Sequence, residues 1–132
     1  MASNTLYILL CSGEHEKVQM AAMMASVAAV SERPVEVFVS MNALLAFAKD
    51  VPAGARYPGG PYAKLLKEKK APDPMTLFRQ GKELGDLKLW ACSMALDVQG
   101  WELDRLEDDM FEDALGLTRF LSDAENGQFV TL

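Results

Sequence analysis

Two cysteines and one histidine are the side chains best suited to nucleophilic or proton-transfer chemistry in this chain: Cys11, Cys92 and His15. Each cysteine closes an apolar run and is followed by serine, in Leu10-Cys11-Ser12-Gly13 and in Ala91-Cys92-Ser93-Met94. Where a strand gives way to a helix, the first helical N–H groups lack partners within the helix and point at the junction. A thiol held there is favoured in its negatively charged, nucleophilic form. The stretch from Leu87 to Gln99 reads as strand, turn at Cys92-Ser93, then helix, so Cys92 is the candidate nucleophile. The N–H groups of Ser93 and Met94 are the candidate anion donors. The competing reading is a buried cysteine that fills space as a small apolar side chain.

If both junctions belong to adjacent strands, Cys11, Gly13 and His15 join Cys92 at one carboxyl edge of the sheet, where open α/β sheets bind ligands. Cys11 would then be a resolving thiol or a second carrier, and His15 would tune the local charge near neutral pH. The alternatives are a packed strand-end cysteine and an exposed histidine at a helix start, flanked by Glu14 and Glu16. A metal centre built on Cys11 and His15, with Cys92 or Glu14 as a third ligand, falls short of the usual zinc sets, and no metal is expected. The sequence has no Cys-x-x-Cys, no phosphate-binding or dinucleotide glycine loop and no Gly-x-Ser-x-Gly elbow. Cofactor-free thiol chemistry is what remains.

The elements that must position these groups follow from the hydrophobic pattern. Residues 5–11 form a continuous apolar run, expected as the first and central strand of a parallel sheet. A helix from Glu14 to Val30 follows, then a β-branched strand at residues 35–39 and a short helix at 43–49 capped near Ser40. Met75 to Gly85 reads as a helix, and Gly100 ends the helix after Cys92. Trp101 to Met110 reads as a connector plus a short, mainly solvated helical piece, residues 112–125 as a helix burying Leu115, Leu117, Phe120 and Leu121, and residues 128–132 as the last strand. The expected fold is a single three-layer α/β/α domain over residues 1–132, with a mainly parallel sheet of about five strands.

Two stretches stand out from that plan. From Val18 to Val30 only Gln19 and Ser26 are polar, so a second surface must cover the helix. A subunit interface is expected there, the alternative being cover from the middle of the same chain. Residues 50–74 carry repeated Pro and Gly and read as an irregular excursion with a helical turn or two around residues 62–69. Nine of the thirteen basic residues lie between Lys49 and Lys88, whereas residues 89–132 hold ten acids and two bases. The Lys-rich part is either an ordinary solvated face or a docking surface for an acidic partner or an anionic thiosulfonate.

The segment Ala91-Cys92-Ser93-Met94-Ala95-Leu96-Asp97-Val98-Gln99-Gly100, with the acidic run after it and the terminal Val130-Thr131-Leu132, resembles the DsrE/DsrF-like family. Within that family it looks most like the DsrE-like sulfur carriers labelled peroxiredoxin-like. The resemblance implies a sulfur relay protein in which Cys92 accepts sulfane sulfur or thiosulfonate and passes it to a partner's thiol. It also implies a trimer or hexamer, and a TusA-like or rhodanese-like sulfur-transfer partner. Some members lack the cysteine and act as scaffolds. A third reading is a thiol redox sensor using a disulfide between Cys11 and Cys92, which needs Cα atoms within about 7 Å.

Composition sets the outer bounds. The chain has 132 residues, half of them hydrophobic, and a formal net charge of −6, which argues against general nucleic-acid binding. Two cysteines and a short N-terminal apolar run with no basic residue before it point to a cytoplasmic protein with free thiols and no membrane span.

Overall fold

The computed structural model describes residues 4–132, apart from the side chain of Ala53. Five strands, β1 (Leu6–Leu10), β2 (Val35–Val39), β3 (Leu87–Cys92), β4 (Asp113–Leu115) and β5 (Gln128–Thr131), pair in the order β4-β3-β2-β1-β5. Every pairing is parallel. The apolar strands β1 and β2 lie inside the sheet, where both edges are paired and both faces are packed. The middle strand is β2, not the expected β1, because β5 returns to pair outside β1.

Helix α1 (His15–Val30) and helix α4 (Pro74–Leu84) cover one face. A Cβ on Gly81 of α4 would fall 2.7 Å from the Leu87 side chain and 3.3 Å from the Ser26 backbone, so α1 and α4 touch each other and the sheet at once. Gly85 ends α4 for the same steric reason, since a Cβ there would meet the Ala29 carbonyl. The opposite face carries helix α6 (Leu117–Asp123), whose buried Phe120 packs on Tyr7 and stacks on Phe38. Three layers result, with the second helical layer much thinner than the first.

The excursion holds two short helices, α2 (Ala53–Arg56) and α3 (Pro61–Glu68), on the body of the domain. Its attachments are specific: Gln19 Nε2 donates to the Pro72 carbonyl at 2.8 Å, and Tyr57 OH donates to Asp73 Oδ1 at 3.0 Å. The lengthwise charge asymmetry has a structural reason. Ion pairs Lys49–Asp108, Arg56–Glu107, Arg79–Glu107 and Lys82–Glu112 join the basic middle of the chain to its acidic C-terminal third.

Two further expectations need correction. The short helix after β2 is a 3-10 helix, Met41–Phe47, and Ser40 makes no side-chain cap bond. Residues 112–125 are not one helix: Asp113–Leu115 is an edge strand, Gly116 caps α6, and Leu117 and Leu121 are exposed. The middle of the chain covers only part of α1. Met20, Met23, Val27 and Val30 remain in solvent along one stripe of it.

Candidate functional site

Strand β3 ends at Cys92, and helix α5 (Ser93–Gln99) starts at the next residue. Cys92 is therefore the N-cap, with extended backbone, and its Sγ accepts the Ala95 N–H at 3.5 Å. Gly100, in the left-handed region at φ +69°, ends α5. The N–H groups of Gly100 and Trp101 return to the Asp97 and Leu96 carbonyls. A helix this short is held by its ends, so the cap sulfur is part of what keeps it in place.

The connections at this end of the sheet part to opposite faces. After α5 the chain brings Phe111 against Phe47, which touches Phe78 of α4. After β4 it crosses to the other face, where Phe120 packs. The carboxyl ends of β3 and β4, where Cys92 pairs with Leu115, are thus a topological switch point of the kind at which open α/β sheets bind ligands. Cys92 itself is 4% exposed, whereas Ser93 and Met94 beside it are exposed. The sulfur lies one residue beneath the surface.

The other predicted groups are not gathered around it. Leu10, Val39 and Ala91 stand abreast on β1, β2 and β3, so Cys11 and Cys92 flank the chain of β2. Two strand spacings, about 10 Å, exceed the roughly 7 Å that a disulfide spans. Adjacency of the two junctions and an internal Cys11–Cys92 disulfide are both ruled out by this strand order. Cys11 Sγ donates instead to the Leu132 carbonyl at 3.3 Å, on the β5 side.

Gly13 is buried, and its N–H donates to Asn42 Oδ1 at 2.8 Å. A Cβ there would sit 2.7 Å from the Asn42 carbonyl oxygen, so glycine is required by close approach of two backbones. His15 is neither exposed nor directed at a cysteine. It is 4% exposed and stacked on Tyr57, with ring centroids 4.9 Å apart, beneath the excursion. Burial, and then the Lys67 ammonium, hold its pKa below the usual histidine value, against weaker opposing effects of Gln19, Asp73 and Glu16. Burial together with the Asp73 carboxylate raises the Tyr57 hydroxyl. Nδ1 of His15 is buried with no hydrogen-bond partner among the described residues.

Among the described residues no cluster of three or more His, Cys, Asp or Glu side chains is placed to hold a metal, and no helix is long and apolar enough to cross a membrane. Trp101 and Arg105, which follow α5 and belong to no recognised motif, line a cavity at this end of the sheet with Gly13 and Asn42. The available signal was a tryptophan and an arginine four apart, directly after the glycine that stops α5.

No protein-family model matches the sequence, and no curated protein matches it. Solved structures do. MTH1491 from Methanobacterium thermoautotrophicum, described as a protein of unknown function, superposes with a TM-score of 0.64 at 14% identity, covering 98% of this chain and 100% of that one. The YchN protein from E. coli gives a TM-score of 0.62 at 12% identity, covering 98% of this chain and 99% of its own. With both chains matched over nearly their whole length by an all-parallel five-stranded sheet and its helices, the fold of this protein is DsrE/DsrF-like.

Proposed function

We propose that this protein is a cytoplasmic sulfur carrier that holds sulfur on Cys92 and surrenders it to a thiol of a TusA-like or rhodanese-like partner. The observation that carries the reading is the Cys92 sulfur as hydrogen-bond acceptor at the strand-end switch point of a DsrE/DsrF-like sheet. An N–H aimed at sulfur suits a thiolate or an anionic persulfide better than a thiol.

The chemistry needs no external oxidant. The Cys92 thiolate attacks the outer sulfur of a polysulfide or thiosulfonate, an S–S bond forms, and the donor's S–S bond breaks. The donor leaves with the electron pair, as a shortened polysulfide or, from a thiosulfonate, as a sulfinate. In the second half an acceptor thiolate attacks the outer sulfur of the Cys92 persulfide and Cys92 leaves as thiolate. Because the residue is 4% exposed, both halves require local opening around Cys92.

The exposed stripe of Met20, Met23, Val27 and Val30, continued by Leu84 of α4, is proposed as the contact through which copies associate as a trimer or hexamer. Sedimentation equilibrium at micromolar concentration is expected to give a trimer or larger that Val27→Glu dissociates. A monomeric parent protein would remove the interface.

A second reading has its own observation. Burial of Cys92 favours an oligomeric scaffold in which the sulfur only fills space. Incubation with polysulfide followed by intact mass separates the two: the relay gains sulfur in the parent protein and none in Cys92→Ser, while the scaffold gains none in either.

A further inference from the structure

A cavity of about 310 Å³ opens at the carboxyl ends of β1 and β2, lined by Gly13, Asn42, Leu45, Arg56, Trp101 and Arg105 among others. Cys92 does not line it. Its walls are fixed by contacts that leave two donors unused. Arg56 spends its Nη1 on the Ala46 and Ala48 carbonyls, at 2.8 and 3.0 Å, and its charge on Glu107 at 3.6 Å. Asn42 accepts the Gly13 N–H on Oδ1, which turns its amide NH₂ away with no partner among the described residues.

Arg105 is the unusual member. Its guanidinium lies 4.8 Å from the Trp101 ring centroid and forms no ion pair among the described residues. Stacking occupies a face of the guanidinium and leaves its edge N–H groups free for a carboxylate or similar anion. The loop that carries it is tied to the segment after β2, by the Lys49 N–H to the Arg105 carbonyl and by the Ala48–Leu106 bridge. The two walls are therefore preformed relative to each other. An indole, aliphatic side chains, one unpaired cation and one free amide, the last two on exposed residues, make a mostly apolar recess with few polar groups, as small-molecule sites have.

We propose that this cavity binds a small planar organic anion, its flat body against Trp101 and Leu45 and its carboxylate on Arg105 and the Asn42 amide. The site is independent of sulfur transfer at Cys92. The probe is 2-naphthoate, titrated into the full chain with 2-naphthamide as its uncharged counterpart, and the readout is the pair of indole N–H resonances. Trp90 is an internal reference, because its Nε1 is held by Glu36 Oε1 at 2.8 Å. Saturable movement of the Trp101 resonance with Trp90 still, and weaker binding of the amide, is the expected result. Arg105→Gln should weaken naphthoate by at least about tenfold and erase the preference over naphthamide, as loss of a charged hydrogen bond requires. Arg119→Gln, which removes an exposed cation paired only with Asp123, should bind as the parent does. No saturable shift at Trp101, equal binding of the two probes, unchanged affinity in Arg105→Gln, or an equal loss in Arg119→Gln would each overturn the proposal.

Discussion

The chain turns from strand to helix through a Cys-Ser pair twice, and the two sulfurs have opposite roles. At Cys92 the helix begins at the next residue, so the sulfur caps it and accepts the Ala95 N–H. At Cys11 three residues intervene before α1, and the nearby donors are taken: Gly13 N–H by Asn42, Glu14 N–H by Ser12 and His15 N–H by Pro58. The Cys11 thiol is left to donate to Leu132. Residue type does not separate the two junctions; the number of residues between strand end and helix start does. Exposure runs the other way, with Cys11 partly open and Cys92 covered.

The largest effect that would break this contrast is exchange of the two sulfurs for oxygen. Cys92→Ser is expected to abolish polysulfide loading, whereas Cys11→Ser should load as the parent does, both read by intact mass. Equal loss in the two variants would erase the distinction.

Next in size are the glycines. Gly13→Ala forces a Cβ against the Asn42 backbone at the crowded junction and is expected to cost roughly 1–3 kcal/mol in urea unfolding. Gly100→Ala, at φ +69° with open space around its Cβ position, should cost only about 1 kcal/mol. A reversed order would mean that crowding does not distinguish the junctions.

The smallest effect is expected from His15. Its folded pKa lies below the unfolded value of about 6.5, so in the interval between them the unfolded chain binds more protons. The stability it contributes is complete above about pH 6.5 and is lost as pH falls through that interval. His15→Phe, which keeps a ring against Tyr57, should flatten this part of the urea midpoint against pH. An unchanged profile would place the titration elsewhere.

The strands β1, β2 and β3 and the helices α1 and α5 are legible in the sequence because each is a run of apolar residues closed by Gly, Pro or a capping position. Strand β4 is not. Asp113-Ala114-Leu115 is a strand only because Trp90, Ala91 and Cys92 offer it an unpaired edge, and nothing in three residues beginning with aspartate announces that. Strand order was equally hidden, since β5 pairs with β1 across more than a hundred residues of sequence. The burial of His15 is not legible because its neighbours Glu14 and Glu16 are exposed; it comes from Tyr57, which arrives from the excursion. For the candidate site, the position of Cys92 was legible and its covering was not, because a cap is a local property and burial is a property of the whole fold.

The most direct measurement loads the native protein with polysulfide, digests it under conditions that preserve persulfides, and compares the two cysteine peptides in one sample. The account predicts the added sulfur on the peptide containing Cys92, with the Cys11 peptide unmodified. Sulfur on Cys11 alone, or on neither, would contradict it.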